Sequence, residues 1–191
     1  VLDLGGGIGR FTQVALERGC DVELVDADIR SLRCALDHAA GRAGRLDLHW
    51  TTGEELPDLA PVDVVVAAEL LNYVEDPARV LANVRRVLAP GGRLLLSVEA
   101  RWGWAFSSDP PPATLAAWMD EAPVYVPGDR FVRTYSEAAL REALAGWEIE
   151  LLVPTHYVLS GPFEAVSGSL TADELWEWEA RLRTHPIAGA L

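Results

Sequence analysis

Lysine is absent from this chain. All sixteen basic residues are arginine, set against 29 acidic residues, for a formal net charge of −13. That balance repels a phosphate backbone and argues against nucleic acid as a general partner. Cysteine is nearly absent too, and Cys20 and Cys34 fit no C-x-x-C spacing for a metal or redox pair. Both fall in segments expected inside the layers of the fold, where they read as buried free thiols of a cytoplasmic protein. No apolar run approaches the roughly 18 residues of a membrane span, and the first residues carry no signal-peptide pattern. Internal repeats and low-complexity tracts are missing. At 191 residues the chain reads as one domain with a substantial core. Val1 already lies inside the presumed first strand, so the natural chain is expected to begin earlier.

What is present is concentrated at the start. Val1-Leu2-Asp3-Leu4 reads as a short buried strand, and Gly5, Gly7 and Gly9 allow a tight turn whose backbone can press against a ligand. Helix-forming residues follow from Phe11 to Arg18, so the turn delivers the chain to a helix N-terminus that favours a negatively charged group. The dinucleotide fingerprint G-x-G-x-x-G would need glycine at position 10, where Arg10 stands. The pattern is D-x-G-x-G-x-G instead. Asp26 closes the second strand and, at the carboxyl end of an open sheet, can accept both hydroxyl hydrogens of a ribose. An acid there is otherwise a helix cap, a role that suits Asp28 better.

Strands and helices alternate through the first hundred residues. Val22 to Val25, Leu46 to Trp50, Val62 to Ala67 and Arg93 to Val98 read as strands; Ile29 to Ala40 and a helix opened by Asp76-Pro77 lie between them. Repeated βα units imply a parallel, doubly wound sheet with helices on both faces. Residues 99–135 break the rhythm with three consecutive prolines from Pro110 and scattered aromatics, the marks of a functional insertion or lid. Ser136 then caps a helix, Glu148 to Val153 reads as a strand, and Tyr157 to Leu159 as a last one. Thr171 to Arg183 reads as a helix, whose Trp176 and Trp178 either pack on the domain or bury an aromatic face in a second copy, as a homodimer.

The glycine pattern with Asp26 resembles the first signatures of class I S-adenosylmethionine (SAM) dependent methyltransferases, of the small-molecule, type 11-like kind. Thr52-Gly53-Glu54-Glu55-Leu56-Pro57 resembles the family segment G-D-A-E-x-L-P. Ala68 to Pro77 looks like S-E-V-L-E-H-V-x-D-P, and Val84 to Gly92 is similar to the R-V-L-x-P-G-G turn. The resemblance covers residues 1 to about 98 and implies a SAM-binding half there, with residues 136–191 as a C-terminal region. It implies a Rossmann-like sheet of about seven strands, mostly parallel with an antiparallel C-terminal strand. SAM is then the cofactor and S-adenosylhomocysteine (SAH) the product. Asp3 is expected to attract the SAM ammonium, the amides of Gly5, Gly6, Gly7 and Gly9 its carboxylate, and Asp26 with Ala27 the ribose. Thr52 occupies the family's adenine-contacting acid position, leaving the backbone of Gly53 and Glu54 to meet the adenine ring. Ala68 and Glu69 lie by the amino-acid end.

Methyl transfer is an in-line displacement in which alignment and desolvation do much of the work, so residue types say less about catalysis. No Asn-Pro-Pro-Tyr-like segment follows the fourth strand, which argues against amide and adenine N-methylation. Tyr73 and His156 are the candidate catalytic residues, with Glu69 a weaker one; Tyr73 otherwise wedges its loop, and His156 otherwise is a satisfied histidine. His38 falls on a helix remote from the strand ends, and His49 on a strand. Trp102 and Trp104 could wall an apolar acceptor pocket, and Arg130 and Arg133 could grip a carboxylate or pair with surface acids. No metal is implied. The favoured activity is methylation of O or N on a small, partly apolar metabolite. The alternatives are a non-catalytic SAM-binding regulatory or scaffold subunit, and an enzyme using SAM for other chemistry.

Overall fold

Short apolar runs separated by amphipathic stretches build a five-stranded parallel sheet. The computed structural model describes residues 1–101, 116–117, 119–120, 122–125, 131–155 and 168–185. Trp102, Trp104, Phe106, Trp118, Arg130, His156 and the strand expected at 157–159 lie outside the described residues. The chain divides into two units, Val1–Val98 and Glu99–Leu191.

In the first unit the order is β1 (Leu2–Leu4), α1 (Arg10–Glu17), β2 (Val22–Asp26), α2 (Ile29–Ala39), β3 (Leu46–Trp50), β4 (Val62–Ala68), a 3₁₀ turn (Leu70–Asn72), α3 (Pro77–Val87) and β5 (Leu88–Ser97). The strands lie in the order β3-β2-β1-β4-β5, and every ladder is parallel. Right-handed crossovers put α1 and α2 on one face and α3 on the other. The strands at the centre are the most apolar, because both of their faces are covered: Leu2, Leu4, Leu24 and Val65 are fully buried. Leu32 and Ala35 of α2 pack on Leu24, with Leu46 and Leu48 closing the cluster. On α3 the buried stripe is Val80, Leu81, Val84 and Val87, at helical spacing. Helix starts are also where their chemistry puts them. Asp28 accepts the Arg30 N–H to cap α2; Asp76 accepts the Arg79 N–H to cap α3, with Pro77 in its first turn.

The second unit holds a two-stranded antiparallel ladder of β6 (Val124–Tyr125) and β7 (Phe131–Val132), with α4 (Glu137–Ala143) and α5 (Ala172–Thr184). Ser136 caps α4, and Thr171 with Glu174 forms a full capping box on α5. Tyr135 is buried, which pushes its phenol up to about 12 against the opposing pull of Arg133.

Among the described residues the sheet has five strands, all parallel, and the antiparallel pair β6–β7 is a separate ladder; the last strand expected, at 157–159, lies outside them. Other expectations change. Residues 148–155 form no ladder, and Leu151 and Val153 stand exposed; apolar β-formers make a strand only where a partner edge receives them. Cys34 is exposed and Cys20 only partly buried. On α5 the tryptophans also face out: Trp176 is 68% exposed, and Trp178 carries the Arg181 guanidinium 4.3 Å above its ring, while Glu179 is the buried member of the helix. Among the described residues no helix is long and apolar enough to cross a membrane.

Candidate functional site

The winding of the sheet reverses between β1 and β4. Connections from β1 run outward to β2 and β3, and that from β4 runs the other way to β5. The carboxyl ends of β1 and β4 therefore border the crevice where open α/β sheets bind ligands. The glycine loop, Asp26 with Ala27, Thr52 to Pro57, and Ala68 to Tyr73 all lie at carboxyl ends of the sheet's strands.

The glycine loop is fastened to β2 by its own amides. Gly5 and Gly6 donate to the Val25 carbonyl at 2.8 and 3.3 Å, and Gly9 to the Gly6 carbonyl at 2.9 Å. Gly7 donates to Oδ2 of Asp26 at 2.8 Å. The expectation that these four amides face an anion is thus revised: they are spent on the turn itself. Among the described residues, the N–H groups left without a partner here belong to Ile8, Arg10 and Phe11. The last two open α1, where the helix dipole adds to their pull on negative charge.

Asp3 is 1% exposed. Its Oδ2 accepts the Thr12 N–H at 2.9 Å and the Thr12 hydroxyl at 2.6 Å, so β1 is tied to α1 beneath the loop. Burial pushes its carboxyl above the ordinary value; the Asp26 charge adds to that, while the Thr12 hydrogen bonds and Arg10 pull it down. Gly6 covers it: a Cβ there would lie 2.5 Å from Cγ of Asp3 and 2.3 Å from Leu24. The position needs glycine for closeness, whereas Gly7 needs it for conformation, with φ +56° and open space beyond.

Asp26 holds both neighbours of the loop. Besides Gly7 it accepts the Asp28 N–H on Oδ1 at 2.8 Å, and each oxygen keeps a lone pair for a further donor. Beside it, Trp50 donates its indole N–H to the Ala27 carbonyl at 3.0 Å while 67% of its surface stays exposed.

The segment after β3 is moored to α3. Asn83 donates through Nδ2 to the carbonyls of Gly53 and Glu54 at 2.9 and 3.0 Å, and Arg86 donates to those of Leu56 and Pro57. Oε1 of Glu54 accepts the Glu75 N–H at 3.0 Å, and Thr52 accepts the Glu55 N–H. Leu70 closes the gap from above. Its Cδ1 lies 2.8 Å from where a Cβ on Gly5 would be, and its Cδ2 3.4 Å from the same point on Gly53.

Past Ala68, which pairs with Ser97 across β4 and β5, the chain turns sharply. Glu69 has φ +57°, the single left-handed non-glycine residue among those described. Its N–H is held by the Ser97 carbonyl at 3.0 Å and by Oγ of Ser97 at 3.1 Å. The half-buried Tyr73 ends the 3₁₀ turn, its N–H on the Leu70 carbonyl at 3.1 Å.

Of the residues expected at the site, the structure brings together those from Asp3 to Tyr73. Arg133 belongs to the second unit, where its Nε is buried without a hydrogen-bond partner among the described residues. His49 is engaged by Glu23 at 2.7 Å. His38 is not remote as expected: its Nδ1 lies 3.3 Å from the Ile8 carbonyl, because α2 packs under the loop. Thr12, Asn83, Trp50 and Ser97 were missed. A polar residue on an otherwise buried helical stripe was the available signal for Thr12 and Asn83; Trp50 and Ser97 carried none.

The chain is similar to known proteins. An uncharacterized methyltransferase of Mycobacterium bovis is 42% identical over 111 residues, covering 54% of this chain and 42% of that protein. A ubiquinone biosynthesis O-methyltransferase of Idiomarina loihiensis is 35% identical over 103 residues, covering 53% and 42% respectively. The chain thus spans less than half the length of these curated relatives. A solved SAM-dependent methyltransferase from Mesorhizobium loti superposes with a TM-score of 0.67 at 22% identity, over 93% of this chain and 84% of that one. The family model described as a methyltransferase domain matches residues 1–152, most of the chain, and the chain belongs to that family.

Proposed function

We propose that the chain is a SAM-dependent methyltransferase that methylates O or N of a small, partly apolar metabolite, as a cytoplasmic protein. The observation that carries the reading is Asp26: a carboxylate at the end of β2, oriented by two backbone N–H groups and bonded directly to the glycine loop. An acid held that way presents its remaining lone pairs to a vicinal diol.

The donor set suits SAM. Asp26 would accept the ribose hydroxyls, with Ala27 alongside. The free N–H groups of Arg10 and Phe11 would receive the methionyl carboxylate, over a loop left open at Gly7. The backbone of Gly53 and Glu54, steadied by Asn83, would face the adenine, with Thr52 at its edge. Ala68 and Glu69 would border the amino-acid end. When bound, SAM supplies an electrophilic methyl group on a sulfonium. The chain's own contribution is alignment and the exclusion of water. Tyr73 stands on the turn after β4, from which a phenol can orient an acceptor or take its proton. His156 is the second catalytic candidate, and Trp102, Trp104, Arg130 and Arg133 are proposed to bind the acceptor. The relative from Idiomarina is named for O-methylation, which favours oxygen acceptors such as phenols as the first class to try.

The test is turnover of SAM to SAH by the chain across a panel of phenols, carboxylic acids and amines. Acceptor-dependent SAH formation is expected. SAM binding with no turnover on any acceptor would favour the non-catalytic reading instead.

A further inference from the structure

β3 closes one edge of the sheet, and among the described residues no strand pairs with its outer side. Proteins guard such an edge with lysine, proline or a bulge. Leu46–Trp50 has none of these: its residues are Leu, Asp, Leu, His and Trp, and its ladder with β2 runs without a register shift. Two bonds fix the backbone phase. The Arg45 carbonyl accepts the Val22 N–H at 2.8 Å, and the Thr51 N–H donates to the Asp26 carbonyl at 3.2 Å. Odd-numbered residues therefore turn their backbone groups to β2, and the N–H and C=O of Leu46, Leu48 and Trp50 point outward. The side chains of the same three residues share the face that α2 covers, and apolar surface is left over there. Leu46 and Leu48 are only half-buried in the cluster under α2; Trp50 is largely exposed, and Leu36 and Ile29 of α2 about half exposed. Leu46 also lines an open cavity of about 480 Å³ with Leu36, Asp37, Ala39, Ala40 and Gly44.

We infer that β3 is the contact between two copies of this chain, paired antiparallel about Leu48. A two-fold axis there sets Leu48 opposite Leu48 and Leu46 opposite Trp50, each pair exchanging N–H and C=O, so that two five-stranded sheets become one. The side chains choose the same register. Trp50 of one copy comes to rest on Leu46 of the other, at the mouth of the cavity, and its exposed ring is covered. On the opposite face Asp47 of one copy meets the imidazole of His49 of the other. Centring the pair on Asp47 instead sets two carboxylates face to face and engages only two of the three outward residues. Centring it on His49 also leaves one of the three unused. The edge is complementary to itself in this one register, which makes a second copy its partner.

Sedimentation equilibrium of the chain should show a dimer at micromolar concentration. Leu36→Asp puts a carboxylate beside the cavity, away from the cofactor segments, and should weaken dimerisation about a hundredfold with the circular dichroism of the chain unchanged. The register has its own test. Asp47→Cys and His49→Cys, each also carrying Cys34→Ser, should form an interchain disulfide when mixed and oxidised, and not when oxidised separately. Only the pairing of position 47 with position 49 brings those two α-carbons to about 4.5 Å. A chain still monomeric at about 100 μM would overturn the assignment. A dimer unaffected by Leu36→Asp would do the same, and its loss with Trp176→Glu would place the contact on α5 instead. A mixture that cross-links no better than its parts would overturn the register.

Discussion

The Thr12 hydroxyl donates to Oδ2 of Asp3 across 2.6 Å, and the Thr12 N–H donates to the same oxygen. With both residues shut away from water, this pair joins the first strand to the first helix under the glycine loop. Thr12→Val keeps the volume and removes the donor, leaving a buried carboxylate oxygen short of one bond. We expect a loss of about 1–3 kcal/mol in denaturant unfolding, largely recovered in Thr12→Ser. Wild-type stability in Thr12→Val would show the bond to be dispensable.

Asp3 also sets a pH dependence. Its folded pKa is raised above the ordinary 3.8, first by burial. The folded chain therefore keeps this proton to higher pH than the unfolded chain does. The stability so gained is fully present below 3.8 and is lost as pH rises through the raised value. Measured against Asp3→Asn, the stability difference should fall with rising pH from about 3.8 upward and then level off. A difference that rises over that range would reverse the assignment.

Gly6 and Gly7 should respond to alanine in different ways. At Gly6 the new methyl would meet the Asp3 carboxylate and Leu24, so the loop must shift, at a cost of about 3 kcal/mol or more. At Gly7 there is room, and only the left-handed backbone resists, at roughly 1 kcal/mol. Thermal melts of the two variants, with SAH affinity alongside, test the ranking; equal effects would contradict it.

Asp26→Ala removes the ribose acceptor and the anchor of the Gly7 N–H together. SAM affinity should fall by an amount on the order of 1–3 kcal/mol. Asp26→Asn, which keeps one acceptor oxygen, should fall in between. Affinity unchanged in calorimetry would take Asp26 out of the site.

Much of the first unit was legible because its signals are local. Apolar runs marked β1 to β5, Asp28 and Asp76 marked helix starts, and the glycine spacing marked the loop. What escaped was tertiary. Nothing in the sequence says that the loop amides turn inward to Val25 and Asp26, that Asp3 is consumed by Thr12, or that Glu69 takes a left-handed backbone. Each depends on which segment lies against which. The run from Glu148 to Val153 failed for the same reason: β-propensity describes a surface that needs a neighbour, and among the described residues none pairs with it.

Leu70 reaches the loop after β1 through Gly5, the segment after β3 through Gly53, and, through Gly53, the Val80 face of α3. Substitutions at these positions will therefore not add. A larger side chain at Gly53 should be tolerated better once Leu70 has been shortened, and a shortened Leu70 should loosen the nucleoside and amino-acid ends of the crevice at once. One side chain thus couples these segments, although more than forty residues separate Gly5 from Gly53.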